Sequence, residues 1–276
     1  MFGPPTVRDH GTVTVSMPYY GCPRTLHRAV TSVLEQDYTN LHLVITNDGG
    51  GDGAWPPIAD IDDPRVTRFN LPTNRGRYYA DAVVLSACQT PWFAIHDADD
   101  WADPQWISDL VETAYGEGTL AAFAPQVVHA AGRRRTEQVH PLLRTLRPIP
   151  QMTHLAHHAG VYRTQTLRTA GGYHPGYRVG YDTLLVNLVR MIAPVSVSPH
   201  PRYHRCIRLG SLTTAKQTGF GSPERNAVRL RLQDLYRRAL ATDPSDLRRL
   251  IEDTIPVDIA ESVRGDANRL MAQWYA

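Results

Sequence analysis

The sequence predicts an α/β protein with a mainly parallel sheet flanked by helices, followed by a helical C-terminal segment. Short β-branched or apolar runs alternate with segments whose apolar residues recur every three or four positions. This alternation is typical of a parallel sheet with helices on both faces. With 42% hydrophobic and 20% charged residues in 276, the composition is that of a soluble globular protein.

Four strands are predicted in the first half, at residues 12–17, 41–46, 66–69 and 92–95. The helix after the first strand is marked by an apolar stripe: Leu26, Ala29, Val30, Val33 and Leu34. A second helix is predicted at 78–86. A third, marked by Ile107, Leu110, Val111 and Ala114, follows Asp103-Pro104, which resembles an N-cap and a first-turn proline.

The second half is less regular. Residues 160–167, 171–173 and 181–191 resemble a strand, a turn and a helix, and the run Arg133-Arg134-Arg135 is expected in a solvated loop. A further helix begins near Ser222. Its apolar face, expected to form core or a homodimer contact, consists of Val228, Leu232, Leu235, Tyr236 and Ala239.

Composition excludes several classes of protein. The net charge of +2 does not favour a nucleic-acid partner, and no apolar run approaches the ~20 residues of a membrane span. No signal peptide is visible at the N-terminus. Cys22, Cys88 and Cys206 show no disulfide or metal pattern, so a reducing, cytoplasmic location is expected.

The segment after the fourth strand carries the strongest chemical signal. Asp97 and Asp99 follow a buried apolar run, and residues two apart in an extended chain point the same way. Two hard oxygen ligands suit Mg²⁺ or Mn²⁺, while a plain helix-capping turn is the alternative. A calcium EF-hand is excluded, because its sixth and twelfth positions would be Ala102 and Ser108.

The glycine-rich stretch at residues 49–53 is neither a P-loop nor a dinucleotide fingerprint. It lacks Gly-Lys-Ser/Thr, and Ala54 and Pro56 occupy the possible positions of the third fingerprint glycine. Ligands of parallel sheets bind beyond the carboxyl ends of the strands. Residues 18–23, 47–53 and 97–100 all follow strands, so we expect them to converge at one site.

Several segments resemble family 2 glycosyltransferases in the order that this family shows. They are Val-Thr-Val-Ser-Met-Pro-Tyr-Tyr at 13–20, Ser-Val-Leu-Glu-Gln-Asp-Tyr at 32–38, Asn-Asp-Gly-Gly at 47–50, Asn-Arg-Gly-Arg-Tyr-Tyr-Ala at 74–80, His-Asp-Ala-Asp-Asp at 96–100, Gly-Gly-Tyr at 171–173 and Tyr-Asp-Thr-Leu-Leu at 181–185. The resemblance covers roughly residues 12–205. It is specific for the family but not for a substrate.

The resemblance implies a GT-A fold, Mn²⁺ or Mg²⁺, and a nucleotide-diphosphate sugar donor, with a UDP-type donor favoured. It also implies inversion at the anomeric carbon and a soluble small-molecule, peptide or glycan acceptor. Asp48 would accept a ring N–H of the base, and Pro18 and Tyr20 would form the wall against it. Arg77, with Arg75 as its rival, would meet the base or the diphosphate.

The resemblance further places metal and diphosphate at the segment Asp97-Ala98-Asp99, with His204 as a possible additional metal ligand. Asp182 stands at the last acidic position of the family's base segment, where Val179 and Gly180 replace the other acids. Asp182 is therefore either the general base or a helix cap. His157 and His158 are the substitutes for the base.

The expected organisation is a nucleotide-sugar-binding half at residues 1–125, an acceptor-binding half at 126–215 and a C-terminal helical extension at 216–276. Two other functions stay open. A nucleotidylyltransferase would carry a basic glycine-rich loop after the first strand, and residues 18–23 have none. A non-catalytic nucleotide-sugar binder would explain the acids missing at Val179 and Gly180.

Overall fold

The computed structural model describes residues 8–51, 55–145 and 148–275, so residues 52 and 53 of the glycine-rich stretch lie outside it. The elements of the first half are β1 (Val13–Tyr19), α1 (Pro23–Leu34), β2 (Leu41–Asp48), β3 (Val66–Leu71), α2 (Arg77–Ala87), β4 (Trp92–Ile95), β5 (Trp101–Ala102), α3 (Trp106–Gly116) and β6 (Ala121–Phe123). Those of the second half are β7 (Gln126–Ala130), β8 (Arg133–Glu137), β9 (Val161–Arg163), α4 (Thr164–Thr169), α5 (Tyr181–Ile192), β10 (Ser196–Val197), β11 (Tyr203–Ile207), α6 (Pro223–Leu240), α7 (Leu247–Glu252) and α8 (Val257–Trp274).

The larger sheet has seven strands in the order β10-β6-β9-β4-β1-β2-β3. All neighbouring strands are parallel except β9, which runs antiparallel to both β4 and β6. The register pairs Val13 with Leu41 and Ser16 with Ile95. The prediction of a mainly parallel sheet flanked by helices is confirmed, and the carboxyl ends of β1, β2 and β4 meet at one edge.

Each face of this sheet packs against its own hydrophobic cluster. Helices α1 and α3 cover one face, where Val15, Leu26 and Trp106 are buried. Helices α2 and α5 cover the other, and residues of α6, α7 and α8 pack into the same cluster. On α6, Leu232, Leu235, Tyr236 and Ala239 are buried, so the expectation that this face forms core is confirmed. We therefore propose no dimer contact through it.

Residues 97–100, which follow β4, are the acidic turn, and a second sheet of four strands, β5-β11-β7-β8, extends from it. Strand β11 is parallel to β7 and antiparallel to β5, and β8 is antiparallel to β7. Arg133–Arg135 is an exposed edge strand, so the loop prediction was wrong, although the expected exposure is confirmed. The two-residue connection Ala131-Gly132 has positive φ at both positions, the backbone of a type I′ hairpin turn.

The predicted N-cap at Asp103 is also wrong. Helix α3 begins at Trp106 with Gln105 at the N-cap position, and Gln105 makes no side-chain capping bond. The N–H of Ile107 instead donates to Oε1 of Gln36, at 3.0 Å. Because a side chain just beyond α1 satisfies this donor, Asp103 is free to contact the second sheet.

No helix among the described residues combines the length and the apolar character needed to cross a bilayer.

Candidate active site

The acidic turn brings three carboxylates together at the end of β4. The N–H of Asp100 donates to the carbonyl of Asp97, which closes the turn before β5. Ligand oxygens of Asp97, Asp99 and Asp100 all lie within 4.8 Å of one another. The side chains of Asp97 and Asp99 are 20% and 19% exposed, whereas Asp100 is buried. Only the first two are therefore open to a ligand from solvent.

Asp100 ties the turn to β11. One of its carboxylate oxygens accepts the Cys206 N–H at 2.7 Å, and the other accepts the Tyr203 hydroxyl at 2.9 Å. The same hydroxyl accepts the N–H of Asp97. Burial, followed by the charges of Asp97 and Asp99, raises the pKa of Asp100 well above its usual value. Asp100 is thus a structural member of the site, with both oxygens already engaged.

Asp97 is held by a buried arginine. Nη1 of Arg77, at the start of α2, lies 2.7 Å from Oδ1 of Asp97, and Nη2 lies 3.6 Å from Oδ2 of Asp81. Burial favours the protonated form of Asp97, but the Arg77 guanidinium and His158 outweigh it and hold the pKa of Asp97 well below its usual value. Asp97 is therefore ionised, and Arg77 lies at the acidic turn.

Asp99 has its own cationic partner. Nε of Arg208, just after β11, donates to Oδ2 of Asp99 at 2.6 Å. Burial and then the neighbouring charge of Asp97 raise the pKa of Asp99, in spite of this ion pair. The cluster therefore carries more negative charge than it readily tolerates, and an added cation would relieve the repulsion.

His204 does not join this cluster. Its Nε2 lies 3.0 Å from Oδ1 of Asp103 and its Nδ1 lies 3.1 Å from Nε2 of His129. Its ring also stacks on Trp101. Both ring nitrogens are thus engaged within the second sheet. The expectation that His204 ligates metal beside Asp97 and Asp99 is not supported, because the loop after β11 reaches the turn through Arg208.

Asp182 lies in the first turn of α5, but it does not cap the helix. The N-cap position is Gly180, and the carboxylate of Asp182 accepts the Tyr78 hydroxyl at 2.7 Å. Nδ1 of His158 lies 3.4 Å from the other oxygen. Burial is outweighed by His158 and Tyr78, so the pKa of Asp182 lies far below its usual value. This carboxylate is ionised and half-buried beside the acidic turn.

His158 connects the two parts of the site. It is buried, and its Nε2 lies 3.5 Å from Oδ2 of Asp97 while its Nδ1 faces Asp182. Such distances are long for hydrogen bonds, so the contact is mainly electrostatic. Burial and Arg77 oppose its protonation, yet the two carboxylates raise the pKa of His158. In contrast, burial and then the charge of His158 hold the pKa of His157 well below its usual value.

The nucleotide-site residues predicted from sequence lie around the ends of β1 and β2. Both carboxylate oxygens of Asp48 accept backbone N–H groups, from Arg75 at 2.6 Å and Gly76 at 2.8 Å. A Cβ on Gly49, where φ is +83°, would lie 2.2 Å from the Asn74 nitrogen. Asp48-Gly49 therefore fixes the loop that precedes Arg77 and α2.

The other predicted nucleotide residues differ in how far they are open to a ligand. Tyr20 is 57% exposed, and Pro18 is half-buried. The Arg75 guanidinium lies over the Tyr79 ring, with its centre 4.6 Å from the ring centroid. The carbonyl of Ala98 accepts the Thr25 hydroxyl at 2.9 Å, which anchors the turn to α1.

The sequence patterns do not reveal four members of the site, which are Tyr78, Asp81, Tyr203 and Arg208. Arg208 lies four positions after His204 in the same segment. Nothing in that spacing indicates which of the two side chains reaches the acidic turn. Tyr203 and Asp100 become visible only when β11 is placed beside the acidic turn. Tyr78 and Asp81 lie in the predicted second helix, where both match the pattern of ordinary helix residues.

Comparison with known proteins identifies the family of the chain. Residues 14–171 match the family model described as glycosyl transferase family 2. The succinoglycan biosynthesis protein ExoO of Rhizobium meliloti is 30% identical over 131 residues, which are 47% of this chain and 38% of that protein. The Escherichia coli glucosyltransferase WfaP, named for UDP-Glc and a GlcNAc-diphosphoundecaprenol acceptor, is 28% identical over 99 residues, 36% of this chain and 38% of that protein. The chain thus matches less than half the length of these relatives.

Two solved structures share the fold. Staphylococcus aureus TarS residues 1–349, in complex with UDP-GlcNAc, superposes with a TM-score of 0.66 at 16% identity, covering 94% of this chain and 81% of that one. The mannosyltransferase PcManGT of Pyrobaculum calidifontis, with GDP-Man and Mn²⁺, gives 0.57 at 17% identity, covering 98% and 76%. The family match spans more than half of the chain, and the architecture is that of GT-A enzymes. The chain belongs to glycosyltransferase family 2 and has the GT-A fold.

Proposed function

We propose that this enzyme is a metal-dependent, inverting glycosyltransferase that moves a sugar from a nucleotide-diphosphate donor to a hydroxyl group of a soluble acceptor. The observation that carries the proposal is the arrangement of Asp97, Asp99 and Asp182. Asp97 and Asp99 are partly exposed carboxylates at a strand end, and Asp97 faces the ionised Asp182 across His158. The proposed cation ligands and the proposed proton acceptor therefore lie on opposite sides of the His158 ring.

The residues of the acidic turn fit Mn²⁺ or Mg²⁺. Carboxylate oxygens are the ligands that these cations prefer, and both cations accept substrate phosphates and water at their remaining positions. Asp99 and Asp97 would hold the cation, since Asp100 already has both oxygens engaged. When bound, the cation would neutralise the charge that develops on the departing diphosphate.

The donor would lie across the ends of β1, β2 and β4. Tyr20 offers an exposed aromatic face to the base, and Pro18 and Asp48 lie at the strand ends beside it. Arg77 and Arg208 hold Asp97 and Asp99, and their guanidinium groups have the planar donor geometry that suits phosphate oxygens. A UDP-type donor is favoured, because a TarS complex holds UDP-GlcNAc and WfaP is named for UDP-Glc.

Asp182 is the proposed general base. In a single displacement the acceptor oxygen forms a bond to the anomeric carbon while the bond to the diphosphate oxygen breaks, which inverts the configuration. The acceptor hydroxyl must then lose its proton, and ionised Asp182 can take it. Tyr78 and His158 fix the orientation of the carboxylate.

A non-catalytic nucleotide-sugar binder is the second candidate, since acids are absent at Val179 and Gly180. The position of Asp182 argues against it: the carboxylate does not cap α5 and faces the acidic turn through His158.

Two measurements on the same preparation test the proposal. A thermal-shift screen compares UDP, GDP and other nucleoside diphosphates with and without Mn²⁺, because a ligand of the folded state raises the melting temperature. Slow hydrolysis of the matching nucleotide sugar is then followed by NMR, which also reports the anomer released. We expect metal-dependent stabilisation by one nucleotide and an inverted first product. Binding without any hydrolysis or transfer would favour the non-catalytic alternative.

A further inference from the structure

One face of the second sheet carries a row of arginines beside the candidate active site. Side chains alternate between the two faces along each strand, and paired residues on neighbouring strands share a face. The rungs of the ladder, counted outward from the acidic turn, are Tyr203–Gln126–Glu137, Arg205–Val128–Arg135 and Ile207–Ala130–Arg133. Arg133, Arg135 and Arg205 thus lie on the same face as Tyr203. These three residues form the arginine face.

The arginine face is continuous with the site already described. Tyr203 donates its hydroxyl hydrogen to Asp100, and its ring lies 5.5 Å from that of His157. Arg205 is close enough for its charge to contribute, after burial and His158, to the lowered pKa of His157. A molecule lying along this face would therefore end beside His157, His158 and the acidic turn.

The positive charge of this face is poorly compensated inside the protein. Within the described residues, the side chains of Arg133 and Arg205 form no hydrogen bond or ion pair. Arg135 lies 3.5 Å from Glu137, but its side chain is 67% exposed, and exposed pairs of this kind contribute little. Arg133 and Arg135 are therefore exposed and Arg205 is partly buried, and the contacts of these three arginines include only one carboxylate.

We propose that the arginine face binds an anionic group of the acceptor, a phosphate in the first instance, and so directs the acceptor hydroxyl toward Asp182. The proposal rests on the proposed function. The backbones of β11 and β8 are two strand spacings apart, about 10 Å, so Arg205 and Arg135 can reach one anion across Val128. A guanidinium offers the paired donors that a phosphate group prefers.

Arg134 provides a matched control. It lies on the same exposed strand but is paired with His129, on the opposite face of the sheet. Arginines on an edge strand can also serve only to prevent edge-to-edge association. In that case Arg134 and Arg135 would be equivalent, whereas an acceptor site needs Arg135 and Arg205 but not Arg134.

The test is an NMR titration of the whole chain with inorganic phosphate, with UDP and Mg²⁺ present at saturation to occupy the donor site. We expect the arginine side-chain signals of Arg135 and Arg205 to shift in a saturable manner. The Arg135→Gln/Arg205→Gln variant should bind phosphate about tenfold more weakly or worse, since charge-assisted hydrogen bonds are lost. Arg134→Gln should bind as the wild type does. Unmoved signals of Arg135 and Arg205, or equal effects of Arg134→Gln, would overturn the proposal.

A second arm identifies the source of the phosphate. Vesicles of phosphatidylcholine, with or without phosphatidylglycerol, are sedimented with each variant. Binding to the anionic vesicles that is lost in the Arg135→Gln/Arg205→Gln variant assigns the group to a lipid headgroup. Phosphate binding without vesicle binding assigns it to a soluble acceptor. Thermal stabilisation of the wild type by UDP and metal tests the donor site separately. If UDP and metal did not stabilise the wild type, the proposed function would fail, whereas the phosphate titration would still measure the anion site.

Discussion

Arg77 Nη1 lies 2.7 Å from Asp97 Oδ1, so a carboxylate of the acidic turn is neutralised by the first residue of α2. The guanidinium also faces Asp81, which is fully buried. Asp48 fixes the loop that leads into this helix through the N–H groups of Arg75 and Gly76. The loop that Asp48 fixes and the acidic turn are therefore connected to each other through Arg77.

Arg77→Ala should destabilise the protein, because Asp97 and Asp81 lose the guanidinium that they share in a largely buried place. Breaking a buried pair by removing one partner costs about 3–5 kcal/mol. Urea unfolding measures the change in the free energy of unfolding. Arg77→Lys keeps the charge and should lose less. If Arg77→Ala had the same free energy of unfolding as the wild type, the ion pair would not stabilise the site.

Asp48→Ala should loosen the loop before α2 and weaken nucleotide binding together. Two backbone donors lose their acceptor, and leaving buried donors unsatisfied costs about 1–3 kcal/mol each. Isothermal titration with the nucleoside diphosphate identified by the thermal screen measures the affinity, and urea unfolding measures stability. A loss of stability with unchanged nucleotide affinity would limit Asp48 to a structural role.

Asp81→Asn should change how stability depends on pH. Burial raises the pKa of Asp81 to about 6, from 3.8. Because the folded state favours the protonated carboxyl of Asp81, the stability that this group contributes is fully present below about pH 4 and is lost as pH rises through about 6. Asparagine does not ionise and keeps the oxygen that accepts the Ser16 hydroxyl. The variant should therefore gain on the wild type between pH 4 and pH 7, by up to about 3 kcal/mol. If the free energy of unfolding differed between the variant and the wild type by the same amount at every pH, this prediction would be contradicted.

Asp182→Asn should lower kcat by about 10²–10⁴-fold, the usual contribution of a general base, with little change in nucleotide affinity. The amide cannot take the acceptor's proton, although it can still accept the Tyr78 hydroxyl. Asp62→Asn, an exposed site outside the cluster, is the matched control. If Asp182→Asn turned over donor and acceptor at a normal rate, His157, His158 or a group on the acceptor would be the next candidate base.

The large sheet could be predicted from sequence because its strands are apolar and its helices carry clear stripes. The predicted strand at residues 92–95 matches β4, and the others differ from β1, β2 and β3 only at their ends. The second sheet was not predicted, because β5 has two residues and β8 is a polar, exposed edge strand. Its hairpin turn, Ala131-Gly132, lacks the Asn-Gly or Asp-Gly sequence that usually signals this turn.

The presence or absence of a local sequence pattern also explains which site residues could be predicted. Asp97, Asp99 and Asp182 stand in local patterns that sequence reasoning recognises. The partners of these carboxylates come from distant segments: Arg208 reaches Asp99 from 109 residues away, and Tyr78 reaches Asp182 from 104 residues away. His204 was expected at the acidic turn, but its alternation along β11 directs it to His129 and Asp103 instead.

The most direct test of the account is the metal dependence of Asp99→Asn, measured as donor turnover during a Mn²⁺ titration and after addition of EDTA. We expect wild-type turnover to need the cation. Asp99→Asn should lose this metal-dependent turnover but should still show the cooperative thermal unfolding of a folded protein. Asp62→Asn should behave as the wild type does. Near-normal activity of Asp99→Asn, or wild-type activity that survives EDTA, would contradict the proposal that the acidic turn holds a divalent cation with the donor diphosphate.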